Sequence, residues 1–457
     1  MRNTTRRSLI ALPRCFDNDV PSPSKAQQDQ QWQFEDYLQT VIDHRYFDSV
    51  TMTLDDCSYS GALFLNIDLV KTVVGALRKS TRVDLTVELD DQSLVALEGS
   101  SDGLNTCPHL RDFRWTSKNI GIGHELPRMY HLPWRSLKRG LFWQQLTNLS
   151  LQCPLSVDDA IYVLSQGARS LQSAQLASIK RQDAGVLIQQ RITLPQLRSL
   201  DIQSYVSLRD LFSKLIMPAL TSLSLRADTA GVMGVVQILD HRLNIRWDLL
   251  KDLTLVMDPH QVCDLNPILS TKFGRSPALQ RLTLSCPHNN FMAQSIPRLE
   301  HLSDLILDIG APCDGLLIGF QDQNLTKLEV STLPDSQFSI PRVDVLTIKE
   351  TITLDDLCLL LQEQRTLRHG NFSVHGGDFT RRVEKIYLEK LEQLDLVSSF
   401  SLRPLWGALQ APRIQTLNLR FQSLQIADKS LELQYLYHHF QRVAIYDPET
   451  RTHALKF

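Results

Sequence analysis

The run His375-Gly376-Gly377-Asp378 comes nearest to a phosphate or metal loop. Two glycines can turn backbone N–H groups toward an anion, with an imidazole and a carboxylate beside them. A tight turn between two elements uses the same residues. No further ligand type lies near in sequence, so we read a turn. His438 and His439 are adjacent in YLYHHF. Neighbours on a helix point about 100° apart, so they are not a ligand pair at i, i+4 spacing. His124 and Glu125 in GIGHEL (Gly121–Leu126) read as a surface pair. Asp158-Asp159 and Asp355-Asp356 have the composition of a carboxylate dyad, but each follows a Ser or Thr and opens an apolar stripe. That is the signature of a capped helix, whose positive end favours acidic residues. No H-E-x-x-H, G-x-G-x-x-G, P-loop or G-x-S-x-G occurs. The expectation is a protein that binds rather than catalyses, with no metal and no cofactor.

The elements that would position any of these residues recur along the chain. In LTNLSLQCPLSVDDAIYVLSQG, Leu146, Leu149 and Leu151 stand at L-x-x-L-x-L spacing. Leu149 and Leu151 share one strand face, and Asn148, Ser150 and Gln152 the other. Pro154 is expected to close the strand. Ser156, Asp159 and the stripe Ala160, Ile161, Val163, Leu164 predict a capped helix stopping at Gly167. The motif returns as LRSLDI, LTSLSL, LKDLTL, LQRLTL, LSDLIL, LTKLEV, VDVLTI, LEQLDL and IQTLNL, with weaker forms at Leu110, Leu171 and Phe372. Its centres fall at 149, 174, 200, 223, 253, 282, 305, 328, 346, 372, 394 and 417. The spacing clusters about the roughly 20–29 residues of a leucine-rich repeat. Pro195, Pro218, Pro277, Pro341 and Pro412 stand just before strands, in turns that lose nothing by lacking an N–H. The helical half recurs in SVDDAIYVL (156–164), SLRDLFSKL (207–215) and TLDDLCLLL (353–361), each with a Ser/Thr cap and Asp three residues on. SLRPLWGAL (401–409) keeps the cap, with Pro404 in place of the Asp.

The fold class expected is therefore α/β: a leucine-rich-repeat solenoid, a curved horseshoe with parallel strands on its concave face and helices on its convex face. Residues 1–31 read as a disordered polar tail and 32–48 as an N-terminal capping helix begun by Trp32, Phe34, Tyr37, Leu38 and Ile42. The solenoid occupies 49–457, irregular at 99–133, with further strands expected at Ser49–Leu54 and Arg82–Leu89 and a helix near Asp68–Arg78. Trp134, Trp143, Trp247 and Trp406 are read as packing residues. Tyr205, just past a strand, is the better contact candidate.

Composition narrows the partners. The 457 residues are 43% hydrophobic and 21% charged, with net charge −2. No basic field is present to hold nucleic acid, and no apolar run is long enough to span a bilayer. The eight cysteines, 15, 57, 107, 153, 263, 286, 313 and 358, include no C-x-x-C pair. Disulfides and zinc are not expected, and Cys153 and Cys286 read as small buried residues just past strands. The start MRNTTRRSLIALPRCF is Arg-rich, but Pro13 and Pro21 interrupt the amphipathic helix a mitochondrial address needs. A cytoplasmic or nuclear location is expected.

LPWRSLKRGLFWQQLTNLSLQCPLSVDDAIYVLSQGARSLQSAQLASI, then ITLPQLRSLDIQSYVSLRDLFSKLIMPALTSLSL, resembles the repeat region of mushroom-type fungal F-box-like proteins. The likeness is strong over Leu132 to about Leu225 and diffuse to about Leu419. It implies a substrate receptor of a cullin–RING ubiquitin ligase, whose repeats hold the target and whose N-terminal F-box docks the ligase adaptor. The sequence departs from that pattern where the F-box would stand. Leu12-Pro13 is followed by Arg14-Cys15-Phe16, and residues 14–31 are polar and Pro-rich. Either the F-box has been lost or it stands upstream of Met1. As given, the chain is not expected to recruit the adaptor itself, and the adaptor is a partner only if an upstream F-box exists. A protein-interaction scaffold without a ligase link is the alternative.

Strand alternation names the binding face. With leucines inward, the residues beside them face a partner: Asp201, Gln203 and Arg226; Asp252, Arg281, Asp304 and Asp308; Lys327, Glu329 and Lys349; Asp395 and Arg420. The signs are mixed, which suits a protein partner better than a phosphate backbone.

Overall fold

Leucine at every second position commits one face of each short motif to the interior. Roughly two dozen residues then bring the chain back to lay the next strand parallel. A computed structural model describes residues 7–11, 49–54, 82–87, 110–117, 143–181, 191–227, 244–257, 276–285, 299–309, 317, 319–321, 323–333, 340–376, 384–422, 436, 442–446 and 453–456. It divides into two compact units, Met1–Arg246 and Trp247–Phe457.

The first unit contains strands β1 Arg7–Ala11, β2 Ser49–Leu54, β3 Arg82–Val87, β4 Asp112–Ser117, β5 Asn148–Ser156, β6 Ser173–Arg181, β7 Ile192–Thr193, β8 Ser199–Ser204, β9 Leu215–Met217, β10 Ser222–Ala227 and β11 Asn244–Ile245. β1, β2, β3, β4, β5, β6, β8 and β10 pair in that order, all parallel. The register aligns the motif centres in one row, Val50, Val83, Phe113, Leu149, Ala174, Leu200 and Leu223. Short strands β7, β9 and β11 form a separate parallel sheet. Helices α1 Val157–Gln166 and α2 Arg209–Lys214 complete the unit, and α1 packs on β5, β6 and β7.

The second unit holds β12 Asp252–Met257, β13 Arg281–Ser285, β14 Asp304–Asp308, β15 Lys327–Val330, β16 Val345–Thr353, β17 His369–His375, β18 Ile386–Tyr387, β19 Gln393–Ser398, β20 Leu409–Gln410, β21 Thr416–Phe421, β22 Arg442–Tyr446 and β23 His453–Lys456, with helices α3 Leu354–Glu363 and α4 Arg403–Ala408. β12 to β17, then β19, β21 and β22, are parallel neighbours in order. β23 closes on β22 antiparallel, and β18 pairs with β20 in parallel. The central row runs Leu253, Leu282, Leu305, Leu328, Leu346, Gly370, Leu394 and Leu417. Its leucines are all fully buried.

Gly370 corrects the sequence reading, which centred that repeat on Phe372. Phe372 pairs with Ile348 and Leu396, one row further on. A Cβ at position 370 would stand 2.6 Å from Cε2 of Phe372 and 3.1 Å from Cδ1 of Leu394. The buried ring therefore fills the space that leucine occupies elsewhere in the row.

Two backbone devices repeat at the start of the strands. The first is a four-residue turn. The Leu197 N–H donates to the Leu194 carbonyl, and the same bond joins Leu220 to Met217, Leu279 to Ser276 and Ile414 to Ala411. Pro195, Pro218, Pro277 and Pro412 take the second position of these turns, where a fixed φ near −65° is wanted. The second device is a shared carbonyl. Arg198 and Ser199 both donate to the Gln172 carbonyl, Thr221 and Ser222 to that of Arg198, and Gln415 and Thr416 to that of Glu392. Successive repeats are thus joined through main-chain atoms before each ladder begins.

The helix caps follow the sequence in part. Ser156 Oγ accepts from the Asp159 N–H at 3.0 Å and the Asp159 carboxylate accepts from the Ser156 N–H, a complete capping box. Thr353 accepts from the Asp356 N–H at 3.1 Å. Gly167 caps the C-terminus of α1 with φ −84°, so its role there does not require left-handed backbone. Ser207 and Ser401 are not N-caps as expected. Leu208 and Leu402 take that position, and each serine sits one residue earlier. Pro154 does not close its strand either. β5 runs on to Ser156 through a register shift after Gln152, the kind of irregularity that tolerates proline. Cys153 accordingly lies within the strand rather than past it.

Among the described residues the segments between ladder strands are not all helical. In several repeats the return segment is a short strand, β7, β9 and β11 or β18 and β20. Arg7–Ala11 forms β1 inside the stretch read as a disordered tail, and β4 lies inside the stretch read as irregular. The expected helices at 32–48 and 68–78 lie outside the described residues.

The units share one block. Strand, capped helix, strand, short strand, strand, short helix, short strand and strand follow in that order from β5 to β10 and again from β16 to β21. Over Ile192–Ala227 and Ile386–Phe421 the correspondence has no gap, and 15 of 36 positions are identical. Ser204 and Ser398 show the likeness at atomic level. Each is buried, accepts from the N–H two residues on at 3.2 Å, and donates to the carbonyl of that residue.

Candidate binding face

Strands Ser199–Ser204 and Asp252–Met257 bury alternate residues and leave the others half exposed. Parallel register turns these half-exposed residues into rows. In the second unit the first row begins Asp252, Arg281, Asp304, Lys327. Its charges alternate. Arg281 reaches Asp252 at 3.8 Å and Asp304 at 3.4 Å. Glu329, in the next row, lies between Lys327 at 3.7 Å and Lys349 at 3.0 Å. Exposed pairs of this kind contribute about 0–1 kcal/mol each. Their consequence is geometric, since each long side chain is held by a neighbour.

Asp308 is the most tightly held of the predicted residues. Ser285 Oγ donates to it at 2.9 Å from β13, and Ser331 Oγ donates to it from beyond β15. The Ser331 bond is the main reason its pKa lies below the ordinary carboxylate range. Partial burial opposes that shift, and Ser285 and the Lys349 charge reinforce it. A carboxylate with a depressed folded pKa stabilises the fold above its unfolded pKa, about 3.9, and loses that contribution as pH falls through the folded value. Asp308→Asn is therefore expected to lower the denaturation midpoint at pH 7 and to differ less from the parent near pH 3. A gap that widens on acidification would refute this account.

The remaining predicted residues also fall on the face. Asp201 accepts from Gln175 Nε2 at 3.0 Å, and Gln175 in turn accepts from Ser150 at 2.8 Å. Gln203 donates to the Tyr205 hydroxyl at 3.4 Å. Asp395 accepts from Gln393 at 2.9 Å and from Asn418. Arg226 and Arg420 are exposed at corresponding positions of β10 and β21. Sequence reasoning missed Gln175, Asp112 with its partner Asn148, and the line Asp344, Arg368 and Glu392. Arg368 approaches Asp344 at 3.8 Å and Glu392 at 3.5 Å. Gln175 and Asp112 belong to motifs too weak in leucine to draw attention. The Arg368 line sits one residue before the strands, where alternation gives no direction.

The catalytic alternatives gain nothing from the geometry. Asp159 and Asp356 accept hydrogen bonds from the N-cap hydroxyls of Ser156 and Thr353 at the starts of α1 and α3. His375 ends β17, exposed, while Gly377, Asp378, His438, His439 and GIGHEL lie outside the described residues. Burial first, and Asp355 second, push the Cys358 thiol up to about 12, which disfavours its thiolate form. Trp143, Trp247 and Trp406 are buried; Trp134 lies outside the described residues. Among the described residues no three His, Cys, Asp or Glu side chains are grouped to hold a metal ion, and no helix is long and apolar enough to cross a membrane.

No family model and no curated protein matches the chain. Among solved structures, one of the Toll–Spatzle complex, a molecular hub in Drosophila development and innate immunity, is similar at 14% identity with a TM-score of 0.35, over 83% of this chain and 52% of that one. The chain thus spans about half the length of the chain it is compared with.

Proposed function

We propose that the chain is a protein-binding leucine-rich-repeat protein, its ladders lining a curved solenoid and their polar side chains holding a partner. The observation that carries this reading is the braced face. Half-exposed groups of both signs stand in register, tied to one another across strands. Side chains ordered in advance lose less freedom on docking. Mixed signs orient a protein partner. The finer reading is a substrate receptor of a cullin–RING ubiquitin ligase, supported by the likeness of Leu132–Leu225 to mushroom-type F-box-like proteins. A scaffold without a ligase link is the alternative; residues 14–31 depart from the F-box pattern.

A photocrosslinking amino acid at Thr283, central on the face, should give protein adducts in cells expressing the chain. The same residue at exposed Tyr387 on β18, outside the ladders, should not. Equal labelling at both positions, or none at 283, would sink the binding reading. Purified adaptor retained by the full chain would support the receptor.

A further inference from the structure

The duplicated block places one charged pair twice. Across Ile192–Ala227 and Ile386–Phe421, six positions in each block face the polar side of the ladder: 199, 201, 203, 222, 224 and 226, matched by 393, 395, 397, 416, 418 and 420. Four of the six differ between blocks. The other two are Asp201 with Asp395, and Arg226 with Arg420. A third identical charged pair, Arg209 and Arg403, begins α2 and α4 and lies off the strands.

The fold does not account for the aspartate. Asp201 is held by Gln175 from the preceding strand, and Asp395 by Gln393 on its own strand and by Asn418 on the following one. The carboxylate is common to both blocks while its internal partners are not. The geometry is also common. Asp201 pairs with Ser224, two residues before Arg226, and Asp395 pairs with Asn418, two residues before Arg420. Neighbouring strands lie about 4.8 Å apart and two residues span about 6.6 Å, so each Asp and Arg are set on a diagonal of about 8 Å. An extended peptide separates same-side residues by about 6.6 Å. A basic and an acidic side chain at such positions complement the diagonal.

We propose that each unit carries one copy of the same recognition patch, Asp201 with Arg226 and Asp395 with Arg420. Each patch takes an extended protein segment presenting a basic and an acidic residue two positions apart. The chain is then bivalent for one kind of segment, and its natural partner presents that segment twice or binds as two copies. This rests on the protein-binding reading above and specifies where and how often binding occurs.

The test uses the full chain and an array of synthetic ten-residue peptides with Lys-x-Glu or Glu-x-Lys at the centre and varied flanks. Gln-x-Gln versions of the same peptides serve as controls. The tightest peptide is then titrated calorimetrically. Two equivalents per chain are expected. D201N/R226Q should remove one equivalent and D395N/R420Q the other, each leaving the remaining affinity within about twofold. The combined variant should bind none. Asp201 and Asp395 also accept internal hydrogen bonds, so each variant's thermal melt is recorded first and should show a cooperative transition well above the titration temperature. A single equivalent abolished by one pair alone would overturn the inference. So would two equivalents surviving in the combined variant, or charged peptides that bind no better than their Gln controls. If adducts at position 283 persist alongside any of these outcomes, the paired patches fail and the binding reading stands. If the adducts are lost as well, both fail.

Discussion

Leu200→Ala and Leu223→Ala are each expected to lower the unfolding free energy by about 2–5 kcal/mol. Ser224→Ala, one residue from Leu223, is expected to change it by no more than about 0.5 kcal/mol. Both leucines are 1% exposed and pair with each other across β8 and β10. Truncating either leaves a cavity, held open around Leu200 by the parallel neighbours β6 and β10 and beside Leu223 by β8, because the ladder fixes the backbone. Ser224 lies half exposed in the row of Asp201 and fills no such space. Urea melts of the three variants measure the difference. The reverse order would mean that the buried and partner-facing sides have been exchanged.

Gly370 yields the second large effect, and its direction runs against the repeat consensus. The motif asks for leucine at that position, yet even alanine should destabilise. The Cβ would meet the Phe372 ring at 2.6 Å, and that ring is buried and cannot swing clear. Overpacking of this kind costs about 1–3 kcal/mol. The first block solves the same position with Ala174 and Leu176 in place of Gly370 and Phe372. Phe372→Leu combined with Gly370→Ala transplants that pair, and should be less destabilised than the sum of the two single changes by about 1 kcal/mol or more. Additive losses in a double-mutant cycle would show that the glycine answers some other constraint.

These two positions mark how far the sequence could be read. Leu200 and Leu223 stand in full motifs, where period-two alternation fixes both strand and buried face without knowledge of the neighbours. Gly370 has no side chain to show in a hydrophobic pattern, so Phe372 drew the repeat centre two residues forward. Only register with Leu346 and Leu394 places it. The caps divide in the same way. Ser156 and Thr353 have a carboxylate three residues on and cap as expected. Ser207 has one too, yet its helix starts at Arg209 because Leu208 is buried as the N-cap. Tertiary burial overrode the local signal. On the binding face, alternation sufficed to place Asp201, Arg281 and Glu329. Which neighbour each would meet depended on cross-strand register, which one strand's sequence does not contain. The duplicated block also escaped notice, since leucine spacing alone makes every repeat look related to every other.

The shared carbonyls at the start of the strands have a consequence for how such a chain can change. Gln172, Arg198 and Glu392 each bind two N–H groups of the next repeat through the main chain, whatever their side chains are. The joint between repeats is therefore blind to sequence at the surface. Polar residues beside it can be exchanged in kind and sign without loosening the stack, as the divergent positions of the two blocks illustrate. Adhesion within the molecule and the chemistry of its surface are written in separate alphabets, one in amides and leucines, the other in side chains that the framework does not consult.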